Sequence, residues 1–154
     1  MLSGTWPFHR AAVLLRYENG DWGRWIGPGA DGFPEFEMLG RTRDLVRFRD
    51  RQGRPHSVPS VPIREALDGF GFVPKIPRPQ FVIHVEPGAV PTVRIDVECY
   101  AIAGPAWRAR SEEAVRAAVL DHLPALRAAC NDGDARLAIG LHFRSRLTNR
   151  SSVI

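Results

Sequence analysis

Alternation of apolar and polar residues predicts two strands in the second half of the chain. Residues 81–86 alternate, and the pair Pro87–Gly88 is typical of a turn that ends such a strand. Residues 93–100 also alternate, which predicts a second strand with two unlike faces. The apolar face consists of Val93, Ile95, Val97 and Cys99, and the charged face of Arg94, Asp96 and Glu98.

A helical pattern follows these strands. Ser111 is a favourable N-cap residue, and the two glutamates after it suit the positive end of a helix dipole. Spacings of three and four predict a buried face formed by Val115, Ala118, Val119, His122, Leu123 and Leu126. Pro124 is expected to kink or shorten the helix, and Gly133 to end it. Residues 136–143 (RLAIGLHF) predict a last strand.

The first half has shorter elements. Residues 11–17 (AAVLLRY) predict a strand that turns at Asn19–Gly20 and returns along residues 22–26, whereas residues 27–34 have the composition of a loop. A second strand pair is predicted around residues 50–53, followed by one helical turn over residues 63–67. The fold class is therefore α+β: a small, mostly antiparallel sheet with one main packed helix, preceded by a β-hairpin stub.

Composition excludes several classes of protein. With 154 residues, 44% hydrophobic and 25% charged, the chain matches a soluble globular domain rather than a disordered one. The net charge is +4, but the arginines of residues 41–54 favour a solvated strand pair over a nucleic-acid surface. The two cysteines lack paired spacing, and we see neither a signal peptide nor an apolar run of about 18 residues. We expect a cytoplasmic protein with no membrane partner.

Few residues carry an obvious chemical signature. The five histidines share no metal-ligand spacing, so no metal site is expected. His84 and His142 alternate with apolar residues in predicted strands, which makes them the candidates for acid–base catalysis in a cleft. Asp96 and Glu98 have the spacing of a carboxylate pair on one strand face, although exposed sheet charges beside arginines are the commoner arrangement. His122 is expected to be a core or interface histidine.

A series of short segments carries a resemblance to a known family. In chain order they are TWPF (5–8), LLRYENGD (14–21), LGRTRD (39–44), PQFVI (79–83), TVRIDVE (92–98) and FRS (143–145). They resemble the C-terminal region of the phenylacetate–coenzyme A ligase family, within the adenylate-forming (AMP-binding) superfamily. The resemblance implies that residues 1–40 are a β-rich stub from the end of the ligase large domain. It implies that residues 41–154 form a lid-like α+β domain.

The resemblance also implies roles for individual residues. Asp21 matches the aspartate that binds the ribose hydroxyls of the adenylate, and Arg41 matches the hinge arginine that meets the same ribose. Arg43 occupies the hinge position, which in the family is usually Asp or Lys. The catalytic lysine near the family's C-terminus has no counterpart, because Thr148 stands about where it belongs. Arg146 lies close enough in sequence to be a candidate for an electrostatic substitute.

These departures set the functional expectation. The single lysine, Lys75, lies in a predicted connector, and the part of the family that carries the ATP phosphate loop is absent. We therefore expect no adenylation and no cofactor for the chain alone, and ATP, AMP or coenzyme A only together with a partner. That partner is a separate ligase-like large subunit, or a second copy of this chain, covering Trp6, Phe8, Trp22, Trp25 and Phe36. The alternatives are a repurposed small enzyme acting on an acidic or acylated metabolite and a non-catalytic oligomeric binding module.

Overall fold

A computed structural model describes residues 2–3, 17–18, 20–75 and 79–144 and has the α+β composition that the sequence predicts. The strands are Leu2–Ser3 (β1), Tyr17–Glu18 (β2), Asp21–Pro28 (β3), Pro34–Arg41 (β4), Val46–Arg49 (β5), Pro55–Val58 (β6), Phe81–Glu86 (β7), Thr92–Cys99 (β8) and Arg136–Phe143 (β9). The helices are Ser60–Asp68 (α1), Pro105–His122 (α2) and Pro124–Asn131 (α3). A β-hairpin precedes the larger sheet, as expected.

Strand β8 is the middle strand of a three-stranded sheet. It pairs antiparallel with β7 and parallel with β9. The parallel pair depends on α2 and α3, because two parallel neighbours need a long crossover connection between them. The sheet is thus antiparallel on one side of β8 and parallel on the other.

The core is built on the apolar face of β8. Its four apolar side chains, predicted from alternation, are completely buried: Val93, Ile95, Val97 and Cys99. They share one hydrophobic cluster with Val115 and Val119 of α2 and with Leu137 and Leu141 of β9. Burying each aliphatic side chain of this size contributes about 1.5–3 kcal/mol, so this face is the main source of stability for the sheet.

Helix α2 begins earlier than the sequence predicted. Its first residue is Pro105, and Ser111 is buried inside the helix instead of capping it. Proline is favoured at the first helical position because its fixed φ suits the helix and its missing N–H would have no partner there. Pro105 therefore provides the start, and the N-cap prediction for Ser111 is wrong.

The end of α2 confirms one prediction and corrects another. Pro124 interrupts the helical pattern, and the chain divides there into α2 and α3. Gly133 adopts φ 73° just beyond α3, where a left-handed residue commonly ends a helix. His122 is exposed, and its Nδ1 donates to the carbonyl of Ala118 at 2.9 Å. It is the last residue of α2, so the prediction that His122 belongs to the buried face is wrong, whereas Leu123 and Leu126 are buried as predicted.

The described part of the first half contains a hairpin later in the chain than the predicted one. Residues 22–26 belong to β3, whose partner among the described strands is β4. Residues 11–16 lie outside the described part, whereas Tyr17–Glu18 pairs with Leu2–Ser3. The turn of the β3–β4 hairpin occupies residues 29–33, within the segment predicted as loop. The Asn19–Gly20 signal is therefore not the turn of this hairpin.

The second strand pair is confirmed. Strands β5 and β6 pair antiparallel on either side of residues 50–54. The helical turn predicted over residues 63–67 is a longer helix, α1, in which Ile63 and Leu67 are completely buried. Pro59 precedes this helix and ends β6, since proline lacks the N–H that a strand ladder needs.

The chain divides into two compact units. The described residues of the first fall within Met1–Leu45 and Pro59–Val61, and those of the second within Val46–Val58 and Pro62–Ile154. The first unit contains the β3–β4 hairpin, and the second contains the three-stranded sheet with α2 and α3. In the described ranges no helix is long and apolar enough to cross a membrane.

Truncation of Leu141 should test the core assignment. Leu141 is completely buried on β9, whereas Phe143, two residues further along the same strand, is 55% exposed. We expect Leu141→Ala to lower the free energy of unfolding by about 2–5 kcal/mol, because it removes buried methyl groups and leaves a cavity. Phe143→Ala, the matched control, should cost less than about 1 kcal/mol. Urea titration measures both, and equal losses would contradict this core.

Candidate functional site

Asp21 and Arg41 lie side by side at the base of the β3–β4 hairpin. Asp21 is the first residue of β3 and Arg41 the last of β4, and the two are direct partners in the strand register. Arg41 Nε is 3.9 Å from Asp21 Oδ1, and the Arg41 side chain is 59% exposed. The amide of Thr42 donates to the carbonyl of Gly20 at 2.7 Å and closes this end of the hairpin. Two residues that the ligase resemblance assigns to one ribose are therefore adjacent.

Arg43 is placed differently. It belongs to the single 3-10 turn that follows β4, and its Nε is 3.5 Å from Asp44 Oδ1. Its side chain is largely exposed. Arg43, the third residue predicted to bind the cofactor, thus pairs with Asp44 and is not a register partner of Asp21.

The same hairpin has one apolar face, which we call the hairpin face. The register places Trp25 opposite Phe36 and Gly23 opposite Met38, so these side chains share one side of the two strands. The rings of Trp25 and Phe36 meet edge to face with centroids 4.9 Å apart. The side chains of Trp25, Phe36 and Met38 are about half exposed. Of the aromatic residues predicted to need a cover, Trp6 and Phe8 lie outside the described residues.

A second polar cluster lies in the other unit, on the charged face of β8. The register sets His84 of β7 beside Arg94 and His142 of β9 beside Glu98. Asp96 lies on β8 between Arg94 and Glu98, on the same face. His142 Nε2 donates to Asp96 Oδ1 at 2.8 Å, and His84 Nε2 is 3.7 Å from Asp96 Oδ2. Both histidines singled out as acid–base candidates therefore face one carboxylate.

Asp96 is buried, with 6% of its surface exposed. Burial raises the pKa of this carboxyl, but the hydrogen bond from His142 and the charge and hydrogen bond of Arg94 together lower the pKa by more than burial raises it. The net pKa lies below the ordinary value. Asp96 is therefore an anion and an acceptor, which makes His142 Nε2 the donor and leaves Nδ1 of that ring as its basic nitrogen.

Gly140 makes room for this arrangement. It is the β9 partner of Asp96, and a Cβ at this position would overlap Asp96 Oδ1 and lie 3.1 Å from His142 Nε2. The absence of a side chain at residue 140 lets the Asp96 carboxylate cross towards β9 and reach the imidazole. In the sequence RLAIGLHF the glycine is two residues before the histidine, so both occupy the same face of β9.

Glu98 is the most deeply buried charged residue of the cluster. Its surface is 2% exposed, and Oε1 has no hydrogen-bond partner among the described residues. A buried acceptor without a donor costs about 1–3 kcal/mol, so a native structure retains one only where something else satisfies it. The expectation that Asp96 and Glu98 are exposed sheet charges is wrong, because this face of the middle strand is covered.

A third polar cluster, around Asp50, joins separate parts of the second unit. The buried Asp50 carboxylate accepts hydrogen bonds from His56 Nε2 at 2.8 Å and from Arg54 Nε at 2.7 Å. Arg54 and Gln52 also donate to Asp134, which follows α3. This network ties the β5–β6 turn to the segment before β9. Its groups are all paired with one another, as expected of a structural network.

The remaining candidates contribute less. Arg146 lies outside the described residues. Burial raises the pKa of both Cys99 and Cys130, so neither thiol is activated as a nucleophile. Within residues 20–75 and 79–144, no group of three or more His, Cys, Asp or Glu side chains could hold a metal ion.

Gly140→Ala should disrupt the Asp96 cluster. The added methyl group would force the buried carboxylate away from His142, and overpacking of this kind costs about 1–3 kcal/mol. Gly71→Ala is the control, because a Cβ there meets nothing within 4 Å and its φ is accessible to alanine; it should change the free energy of unfolding by less than about 1 kcal/mol. Similar values for the two variants in urea titrations would contradict the close contact at residue 140.

Asp50 should control the stability of the protein in acid. Burial raises the pKa of Asp50, but hydrogen bonds from His56 and Arg54 bring it well below its ordinary value of 3.8. Its contribution is therefore complete above that value and is lost as the pH falls towards the folded-state pKa. We expect Asp50→Asn to lower the free energy of unfolding at pH 7 and to flatten its decline between about pH 5 and pH 2.

The matched control for Asp50 is Asp68→Asn, which alters an exposed carboxylate at the end of α1. Urea titrations at a series of pH values measure all three proteins. If Asp50→Asn declined with falling pH as steeply as the wild type, the Asp50 network would not be the source of the acid sensitivity.

The chain matches no model of a known protein family, and a search of curated proteins finds no significant match. The similarity to the ligase family therefore rests on the six segments, and membership of that family stays a prediction.

Proposed function

We propose that the protein is a lid-like accessory subunit of an acyl-adenylate-forming ligase, acting in the cytoplasm. The observation that carries the proposal is the pairing of Asp21 with Arg41. The ligase resemblance assigns both residues to the ribose of the adenylate, although they are 20 positions apart in the sequence. Only the register of the β3–β4 hairpin brings them together.

The chemistry of the pair suits a ribose. An ionised carboxylate accepts hydrogen bonds from two neighbouring hydroxyls, and a guanidinium donates to the ribose oxygens without changing its charge. Arg41 is largely exposed, so a nucleotide can approach this end of the hairpin from solvent. ATP, AMP or coenzyme A would bind here only with a second protein, which must provide the phosphate-binding groups.

The order of elements also supports the proposal. The segments similar to the family's strand pair form β7 and β8, which are antiparallel neighbours. A helix with buried Val115 and Val119 follows them, and the ligase resemblance also implies a helix after this strand pair. These agreements concern local structure, which by itself does not fix function.

The chain lacks the lysine that adenylation requires. Lys75 lies in the connector between α1 and β7, away from the Asp21–Arg41 pair in sequence. In the ligase family the corresponding ammonium bridges carboxylate and phosphate as negative charge develops, and preorganised positive charge of this kind is a major part of catalysis. We therefore assign that step to the partner.

The hairpin face is the proposed docking surface for this partner, a ligase-like large subunit. It lies on the same two strands as the Asp21–Arg41 pair, so a protein that covers Trp25, Phe36 and Met38 would place its own nucleotide site beside them. Half-exposed aromatic side chains are typical of interface centres, whereas isolated two-stranded hairpins are only marginally stable without such a cover.

ATP–pyrophosphate exchange tests the proposal. Exchange should occur with a panel of carboxylic acids only when the chain is mixed with a candidate large subunit. Asp21→Asn and Arg41→Gln should each lower that exchange about tenfold to a hundredfold, since hydrogen bonds to charged groups contribute about 1.5–3 kcal/mol. Arg24→Gln is the control, because Arg24 lies on the opposite side of the hairpin and pairs with Glu37.

Three outcomes would overturn the proposal. Exchange by the chain alone would show that no large subunit is needed. A stable monomer that binds no ligase-like protein would exclude the accessory role, and a symmetric dimer through the hairpin face would favour a non-catalytic oligomeric module.

A further inference from the structure

The Asp96 cluster has the parts of a hydrolytic site that does not depend on the accessory role. Those parts are a histidine oriented by a buried carboxylate, a buried acceptor that has no donor among the described residues, and an arginine at the rim. They lie on one face of the β7–β8–β9 sheet, in a different unit from the Asp21–Arg41 pair. Success or failure of the ligase proposal therefore leaves this inference unaffected.

The first part is the Asp96–His142 pair. The 2.8 Å bond between Asp96 Oδ1 and Nε2 fixes the ring and its tautomer, so Nδ1 is the nitrogen that can accept a proton. A carboxylate in this position also stabilises the imidazolium that forms when the ring takes a proton. The His142 side chain is 29% exposed, so the ring is within reach of solvent.

The second part is the orphan oxygen of Glu98. Glu98 and His142 are direct partners across β8 and β9, which puts their side chains next to each other on one face. The buried Oε1 needs a donor, and a water molecule or a ligand hydroxyl is the simplest group that supplies one. Such a donor would lie beside His142, the histidine that is hydrogen-bonded to Asp96.

The third part is the rim of the cluster. Arg94 and His84 flank Asp96, and their side chains are 40% and 46% exposed. Arg94 uses Nε for Asp96 at 3.1 Å, and its terminal nitrogens extend along the same face, one of them near residue 140. A fixed positive charge at this position favours a substrate on whose oxygen negative charge develops during reaction.

We propose that this face hydrolyses activated acyl esters or thioesters, with His142 as general base. Water held by Glu98 loses a proton to His142 Nδ1 as its oxygen forms a bond to the acyl carbon. The carbonyl electrons move onto the carbonyl oxygen beside Arg94, then return as the bond to the alcohol or thiol breaks. His142 gives its proton to that leaving group, and the products are a carboxylic acid and an alcohol or thiol.

Hydrolysis of p-nitrophenyl acetate by the chain alone is the experiment, followed by release of thiol from an acetyl thioester. His142→Gln should reduce the rate above background at least tenfold, because general base catalysis typically contributes 100-fold or more. His122→Gln is the matched control, since that exposed imidazole bonds to a backbone carbonyl and has no carboxylate partner in the part of the chain that the structure describes. It should leave the rate unchanged.

Substitutions of Asp96 and of Glu98 should change the rate of hydrolysis and the stability of the protein in different ways. Asp96 is a positioning residue, so Asp96→Asn should lower kcat and leave KM nearly unchanged, because the His142 ring loses the carboxylate that orients it. Glu98→Leu should also lower the rate at least tenfold, yet leave the free energy of unfolding equal or higher, because a buried carboxylate oxygen with no donor among the described protein groups is replaced by an apolar side chain.

A measurement on the wild-type protein covers the case in which a variant does not fold. Diethyl pyrocarbonate modifies imidazoles, and peptide mapping follows each histidine separately. Loss of hydrolysis should follow modification of His142 and not of His122. Loss that follows His122, no hydrolysis above background, or a His142→Gln protein that is folded and fully active would each overturn the proposal.

Discussion

The buried carboxylate of Asp96 constrains the polar half of the three-stranded sheet. A charge removed from water is tolerated only where partners replace its hydration, and here His142 and Arg94 replace it. Their contacts in turn require that residue 140 has no side chain, because a Cβ there would occupy the space of the carboxylate. One charge on the middle strand, that of Asp96, therefore accounts for Arg94 on β8 and for Gly140 and His142 on β9.

The regular parts of the fold could be predicted because alternation and helical spacing report burial directly. Strands β7 and β9 have the predicted bounds, and the apolar face of β8 is buried as expected. The start of α2 could not be placed in the same way, since Ser111 and Pro105 are both favourable starting residues and only packing of the helix decides between them. The pairing of β3 with β4 was not predicted, because the loop composition of residues 27–34 does not say which strands that loop connects.

In the candidate sites too, the sequence pattern predicted some features, and others depend on how the strands pair. His84 and His142 were singled out because each alternates with apolar residues, and their strands do lie on either side of β8. Asp21 and Arg41 were linked only through the ligase resemblance, and the strand register is what brings them together. Glu98 was considered as part of a carboxylate pair but expected to be exposed, and Gly140 was missed, because the significance of both depends on which neighbours face them across the strands. A sequence pattern gives the face of each strand but not the register between strands.

The two proposals concern separate parts of the chain, which differ in their burial and in their need for a second protein. The Asp21–Arg41 pair is exposed and needs a second protein to complete a nucleotide site, whereas the Asp96 cluster is largely buried and already holds an oriented base.

Heteronuclear NMR of the His142 imidazole tests the arrangement on which the second proposal rests. We predict that, in the neutral form of the ring, the proton is on Nε2, and that Asp96 titrates below the ordinary carboxyl pKa of 3.8. A neutral ring protonated at Nδ1, or an Asp96 carboxyl that titrates above 3.8, would contradict it.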